Sequence, residues 1–115
     1  MGMFNYNDYT VYLACGSTDM RKSTNGLCAI VQYQFEMDPN QKIVFGFCNK
    51  SRNRIKLLVW EDNGFWVHFK RIEKGTVLWP ETVEDMHTMQ LTLKDLENVL
   101  KAPAIKQKIK RQSMW

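Results

Sequence analysis

Cysteine is scarce in this chain of 115 residues, and its three positions, Cys15, Cys28 and Cys48, are odd in number and widely spaced. That excludes a disulfide framework and a Cys-x-x-Cys metal clip; the thiols read as reduced, with Cys28 and Cys48 among apolar neighbours. Histidine is limited to His68 and His87. No Ser or Cys stands in a nucleophile-elbow context and no Gly-rich phosphate loop occurs, so neither cofactor nor metal is expected. Long apolar runs are also missing, the best being Ile43 to Cys48, which is too short to span a bilayer. The start, Met1-Gly2-Met3-Phe4-Asn5, lacks the basic-then-apolar order of a signal peptide. The resulting expectation is a cytoplasmic protein with no membrane partner.

What is present is enough apolar material for a core. Apolar residues make up 44% and aromatics 12%, which excludes wholesale disorder. The length suits one domain. The net charge of +4 is unevenly spread. Residues 42 to 74 carry eight Lys/Arg against Glu61, Asp62 and Glu73, whereas 75 to 100 hold Glu81, Glu84, Asp85, Asp95 and Glu97 against Lys94 alone. Residues 101 to 115 carry Lys101, Lys106, Lys108, Lys110 and Arg111 with no acid. Such segregation points to a polyanion partner more than net charge does, although basic tails also serve solubility.

The patterning predicts the order β-α-β-β-β-β-α. Thr10 to Cys15 reads as a strand ended by Gly16. Ser17-Thr18-Asp19 supplies N-cap oxygens for a helix to about Glu36, with Leu27, Val31 and Phe35 on one face. Asp38-Pro39-Asn40 is a turn, Ile43 to Cys48 a second strand, and 49–53 a polar loop. Residues 54 to 74 form a hairpin, since Asn63-Gly64 between apolar strands is the strongest short-range hairpin signal. Thr76 to Trp79 reads as one more strand, 81–88 as a loop, and Thr92 as the cap of a short helix carrying Leu93, Leu96, Val99 and Leu100. Pro103 ends it. The fold class is α+β: a small antiparallel meander with two helices packed on one face, a single domain over 1–103, and a basic, mobile tail over 104–115.

With Asn63-Gly64 as the loop, Trp60 faces Val67, Leu58 faces Phe69, Lys56 faces Arg71 and Arg54 faces Glu73 on one side of the ribbon. Glu61, Val59, Leu57 and Ile55 lie on the other, with Trp66, His68, Lys70 and Ile72. Like charges directly opposite destabilise a strand pair, so Lys56 and Arg71 need an anion. Glu73 supplies one internally; a DNA phosphate, reached also by Lys50, Arg52 and Arg54, would supply one externally. Trp60 and Trp66 offer stacking surface but are ordinary core candidates as well. Residues 16 to 22, Gly-Ser-Thr-Asp-Met-Arg-Lys, read either as a phosphate-binding turn or as plain capping in which Asp19 pairs with Arg21. A metal nuclease drawn from Asp19, Glu61, Asp62 and Glu73 lacks any spacing that brings its carboxylates together.

Gly16 to Lys22, Asp38-Pro39, Arg54-Ile55-Lys56-Leu57-Leu58, Trp60, Gly64-Phe65, Lys70 to Gly75, Trp79-Pro80 and Leu91-Thr92, in this order, carry a family likeness. From about residue 10 to residue 100 the chain resembles the TnpB-type, Orf-two-like accessory proteins of the insertion-sequence-sixty-six transposon family. The resemblance implies a small protein that supports DNA transposition beside a DDE-type transposase, without catalysis of its own, and it maps the family pattern onto Asp19, Arg21, Arg54, Lys56, Lys70, Arg71 and Glu73. Asn53 stands where the family usually has an acid, and Asn40-Gln41-Lys42 where it has an aromatic-Ser-Gly turn. The tail after residue 103 lies outside the likeness.

The leading expectation is a non-catalytic accessory protein that binds DNA, at transposon ends or target, through Arg21, Lys22, Lys50, Arg52, Arg54, Lys56, Lys70 and Arg71, with Asp19 and Glu73 as ion-pair partners. The alternative is an adaptor docking on the transposase or another accessory protein. A metal-dependent nuclease is the remote third reading.

Overall fold

The computed structural model describes residues 5–101. Five strands form one sheet in the order β4-β3-β2-β1-β5. They are β1 (Thr10–Ala14), β2 (Ile43–Cys48), β3 (Arg54–Glu61), β4 (Gly64–Arg71) and β5 (Thr88–Leu91). Helix α1 (Thr24–Ala29) continues as π-type turns over Ile30–Gln34, and α2 is Leu93–Lys101. The class is α+β and the element order agrees with the sequence pattern, while several placements differ.

The antiparallel meander holds for β2, β3 and β4, but β1 and β2 pair parallel, with Val11 beside Val44 and Tyr12 beside Phe45. A strand–helix–strand crossover permits that pairing, since a helix carries the chain back to its starting end. β2 is buried at every position, as befits a central strand covered on both faces. Its residues alternate between two cores. Ile43, Phe45 and Phe47 join Leu27, Ile30, Val31 and Leu58 under α1. Val44 and Cys48 join Val11, Leu13, Leu57, Val59, Val77, Trp79 and Leu96 under α2. The helices therefore cover opposite faces, not one.

The first helix begins at Thr24, later than Asp19 suggested. Asp19 instead folds an Asx turn, its Oδ1 accepting the Arg21 backbone N–H at 2.9 Å, and this competes with helix at residues 19–22. The face itself was read correctly: Leu27 and Val31 are fully buried, and Phe35 stacks on Phe45 and Phe47. At its far end the Phe35 N–H reaches the carbonyl of Ile30, an i to i−5 bond of 3.1 Å. In α2 the expected cap is present, with Thr92 Oγ1 accepting the Asp95 N–H at 3.0 Å. Residue 103 and the expected 104–115 tail lie outside the described residues.

Residues 76–79 form no strand. Val77 and Trp79 alternate inward as a strand's would, but they run as a strap over the β1–β2 face. The Trp79 indole N–H donates to the Ala14 carbonyl at 2.8 Å, and the Val77 N–H donates to the carbonyl of Arg52 at 3.0 Å. Leu13 of β1, backed by the strap, explains Gly46: a Cβ there would come 2.6 Å from Leu13 Cδ2 and 3.2 Å from the Trp79 ring. The fifth strand lies instead at Thr88–Leu91, antiparallel to β1, in a stretch that carries no inward alternation of its own.

Candidate nucleic-acid interface

The hairpin closes one residue earlier than Asn63-Gly64 implies, which shifts every cross-strand partner by two. Glu61 pairs with Gly64, so Asp62 and Asn63 are the loop, and Asp62 takes the positive φ of 57°. The closure brings Trp60 onto Phe65 edge-on, ring centroids 5.0 Å apart, and lets the Trp66 indole N–H donate to Glu61 at 2.8 Å. A two-residue slip preserves which face each side chain takes but changes every partner. Lys56 lies opposite Phe69, not Arg71, and the like-charge pair is Arg54 with Arg71.

Arg71 Nε donates to Glu73 at 2.9 Å. Among the described residues Arg54 has no ion pair; its guanidinium touches only the Asn53 side-chain oxygen, at 3.4 Å. It does not face Glu73, because the slip sets that residue beyond the end of β4.

Lys56 is held from across the sheet. Its Nζ donates to the carbonyls of Met20 and Lys22 at 2.8 and 2.9 Å, tying the 15–23 loop to β3. That loop is pinned elsewhere too: the Thr18 N–H donates to the Cys48 carbonyl, and Arg52 donates to the Gly16 carbonyl at 2.8 Å. Gly16 there has φ of 80°, a conformation that favours glycine. Arg52 also reaches Glu81 at 3.2 Å, its side chain only 15% exposed. The adjoining turn is closed by Asn49, whose Oδ1 accepts the N–H groups of Asn53 and Arg54, each at 2.9 Å.

These tethers leave an open groove of about 550 Å³ between the loop and the hairpin, lined by Met20, Arg21, Arg54, Lys56, Val67 and Phe69. Its floor is apolar, with Phe69 54% exposed. Its walls are cationic. Arg21 grips Asp19 through both carboxylate oxygens, closest 2.8 Å, and the guanidinium holds that carboxyl down at about 2.

Of the residues singled out from sequence, Arg21, Arg54 and Lys56 meet at this groove. Arg71 stands beside them, opposite Arg54. Lys22 is exposed on the same loop and Lys50 on the neighbouring turn. Lys70 belongs to the other face, where its Nζ donates to the Leu100 carbonyl at the end of α2, 2.9 Å away. The sequence reading missed Met20, Val67 and Phe69 as floor; the strand alternation that places Arg71 on this face also places Val67 and Phe69 there.

His68 lies on the α2 face, its Nε2 3.2 Å from the Tyr6 hydroxyl and its ring stacked on Trp66 at 6.0 Å. Burial pushes the imidazole below its ordinary range and Tyr6 up to about 12. Burial also raises the thiols of Cys15, Cys28 and Cys48. Among the described residues no three His, Cys, Asp or Glu side chains converge as metal ligands. Nor is any helix among them long and apolar enough to cross a membrane.

The family model described as IS66 Orf2 like protein matches residues 9–110. The chain belongs to the IS66 Orf2-like family. This is a family of insertion-sequence accessory proteins, and the match runs past residue 103, so the likeness includes part of the basic C-terminal stretch that was expected to lie outside it. Two proteins of Sinorhizobium fredii are similar. The uncharacterized protein y4hO is 30% identical over 70 residues, covering 61% of each chain. The uncharacterized protein y4jC is 29% identical over 70 residues, covering 61% of this chain and 60% of its own. The IS66 Orf2-like chain thus aligns with about three fifths of either relative's length. No solved structure matches it.

Proposed function

We propose that this IS66 Orf2-like protein is a non-catalytic accessory factor that acts in the cytoplasm and binds DNA, at transposon ends or target, through the groove between the 15–23 loop and the hairpin. The observation that carries the reading is the meeting of Arg21, Arg54 and Lys56, from two separate segments, around a floor that includes an exposed aromatic ring. Cations on the walls suit phosphates, and Phe69 suits the apolar face of a sugar or an unstacked base. Arg54 is the principal contact, since no carboxylate among the described residues neutralises it. Lys22, Lys50 and Arg71 extend the basic surface; Arg52 and Lys56 also serve the fold through the bonds described above, and Lys70 serves it on the opposite face, away from the groove.

Fluorescence anisotropy with labelled duplex and single-stranded DNA at low and moderate salt tests the reading. Affinity falls with salt, and Arg54→Ala weakens binding by about tenfold, while Lys70→Ala, on the other face, leaves it near the parent value. Absence of binding, or equal loss in both variants, sinks the assignment.

A second reading, docking on the transposase, draws on the partial neutralisation of the groove: Arg21 is paired to Asp19, and Lys56 is engaged by two carbonyls. Co-purification with the transposase in the absence of DNA, lost in Phe69→Ala, favours it.

A further inference from the structure

The two edges of the sheet are unlike. β5 is four residues long, whereas β4 runs for eight. Short strands, charges, prolines and coverings are the devices that keep an edge from pairing with another chain. β4 carries charge only at its end, in Lys70 and Arg71, and from Gly64 to Phe69 it has neither a charged carboxylate or ammonium group nor a proline. Among the described residues no strand lies on its outer side. Trp66 and Phe69, on opposite faces, are 46% and 54% exposed along this edge.

We infer that the outer edge of β4 pairs antiparallel with the same edge of a second copy of the chain. Alternate residues of an antiparallel strand aim both backbone groups away from their existing neighbour, and a second copy offers matching donors and acceptors. Charge selects the occupant and the direction. The hairpin's turn end carries Glu61 and Asp62; its open end carries Arg54, Lys70, Arg71 and Lys74 against the single acid Glu73, and so stays cationic. Antiparallel self-pairing about a two-fold axis normal to the sheet sets each copy's acidic turn beside the other's cationic end, whereas parallel pairing sets like against like. Such an interface is isologous and closes at two copies, forming one ten-stranded sheet. The two Arg54-bearing faces then point to the same side. The pairing needs no nucleic acid, so it stands or falls apart from the DNA reading.

Sedimentation velocity on the full chain across about a hundredfold concentration range tests it, with expected growth of a dimer as concentration rises. Trp66→Lys and Phe69→Lys place extra cations in the middle of each copy's edge; each is expected to weaken the dimer about tenfold while circular dichroism keeps the folded spectrum. Hydrogen exchange on the wild-type chain removes any dependence on the variants: amides of Gly64–Arg71 are expected to exchange more slowly at high concentration. A monomer at every concentration, a dimer that folded variants leave untouched, or β4 amides that exchange alike at both concentrations overturns the inference. So does edge protection that arises only when a different protein is added.

Discussion

Arg54 and Arg71 stand directly opposite each other across the β3–β4 hairpin, and Glu73 forms its ion pair with Arg71 and not with Arg54. The arginine pair is a small liability to folding, tenths of a kcal/mol up to about 1. Arg54→Gln is therefore expected to leave stability unchanged or raise it by up to about 1 kcal/mol while weakening DNA binding. Urea unfolding alongside the anisotropy titration checks this; a destabilised variant would mean that Arg54 serves the fold.

Lys56→Met removes two hydrogen bonds that tie the 15–23 loop to β3. The expected cost is about 1.5–3 kcal/mol, since a charged donor serves backbone acceptors, with faster hydrogen exchange confined to the loop. Uniform acceleration throughout the chain would show a global effect in its place.

Gly46→Ala forces a methyl against Leu13 and Trp79. Overpacking at such a site costs about 1–3 kcal/mol, and the urea midpoint is expected to fall accordingly. Trp79→Phe in the wild-type background loses the bond to the Ala14 carbonyl and is expected to cost about 1–3 kcal/mol for the unsatisfied buried acceptor.

His68 makes stability depend on pH. Its folded-state pKa is lowered, chiefly by burial, from an ordinary 6.5, with Glu61 opposing in part. The unfolded chain then binds the proton more readily, so this contribution is complete above that ordinary value and declines as pH falls through it, levelling off below the folded value. Urea midpoints at about pH 7.5 and about pH 5.5 are expected to decline more for the wild type than for His68→Gln. An equal decline would remove His68 as the cause. Asp19, held at about 2, has the same sign in a more acidic window: its contribution is present above the ordinary 3.8 and is lost as pH falls through about 2.

The helix faces, the Thr92 cap and the two faces of the hairpin were legible because each depends on local spacing, and spacing survives tertiary context. Arg54, Lys56, Val67 and Phe69 share a face under either register, since a slip of two residues keeps the alternation. Their partners were not legible. The turn position followed from Asp62 accepting a positive φ and from the contacts of Trp60 with Phe65 and Trp66 with Glu61, none of which local turn preference contains. Thr88–Leu91 became a strand because β1 had a vacant edge, whereas 76–79 cross the face of the sheet, where Val77 and Trp79 pack into the core and only isolated bonds reach backbone carbonyls, so no ladder forms.

By itself the sequence determined one α+β chain, a cation-bearing hairpin face and a family likeness, all of which rest on composition and on short-range periodicity. Tertiary structure alone decided which cations are spent on the fold and which line the groove. Arg52, Lys56 and Lys70 meet carbonyls some 30 or more residues away, at Gly16, Met20, Lys22 and Leu100. Such pairings depend on how the loop, the strap and α2 close over the sheet, and no local pattern encodes that closure.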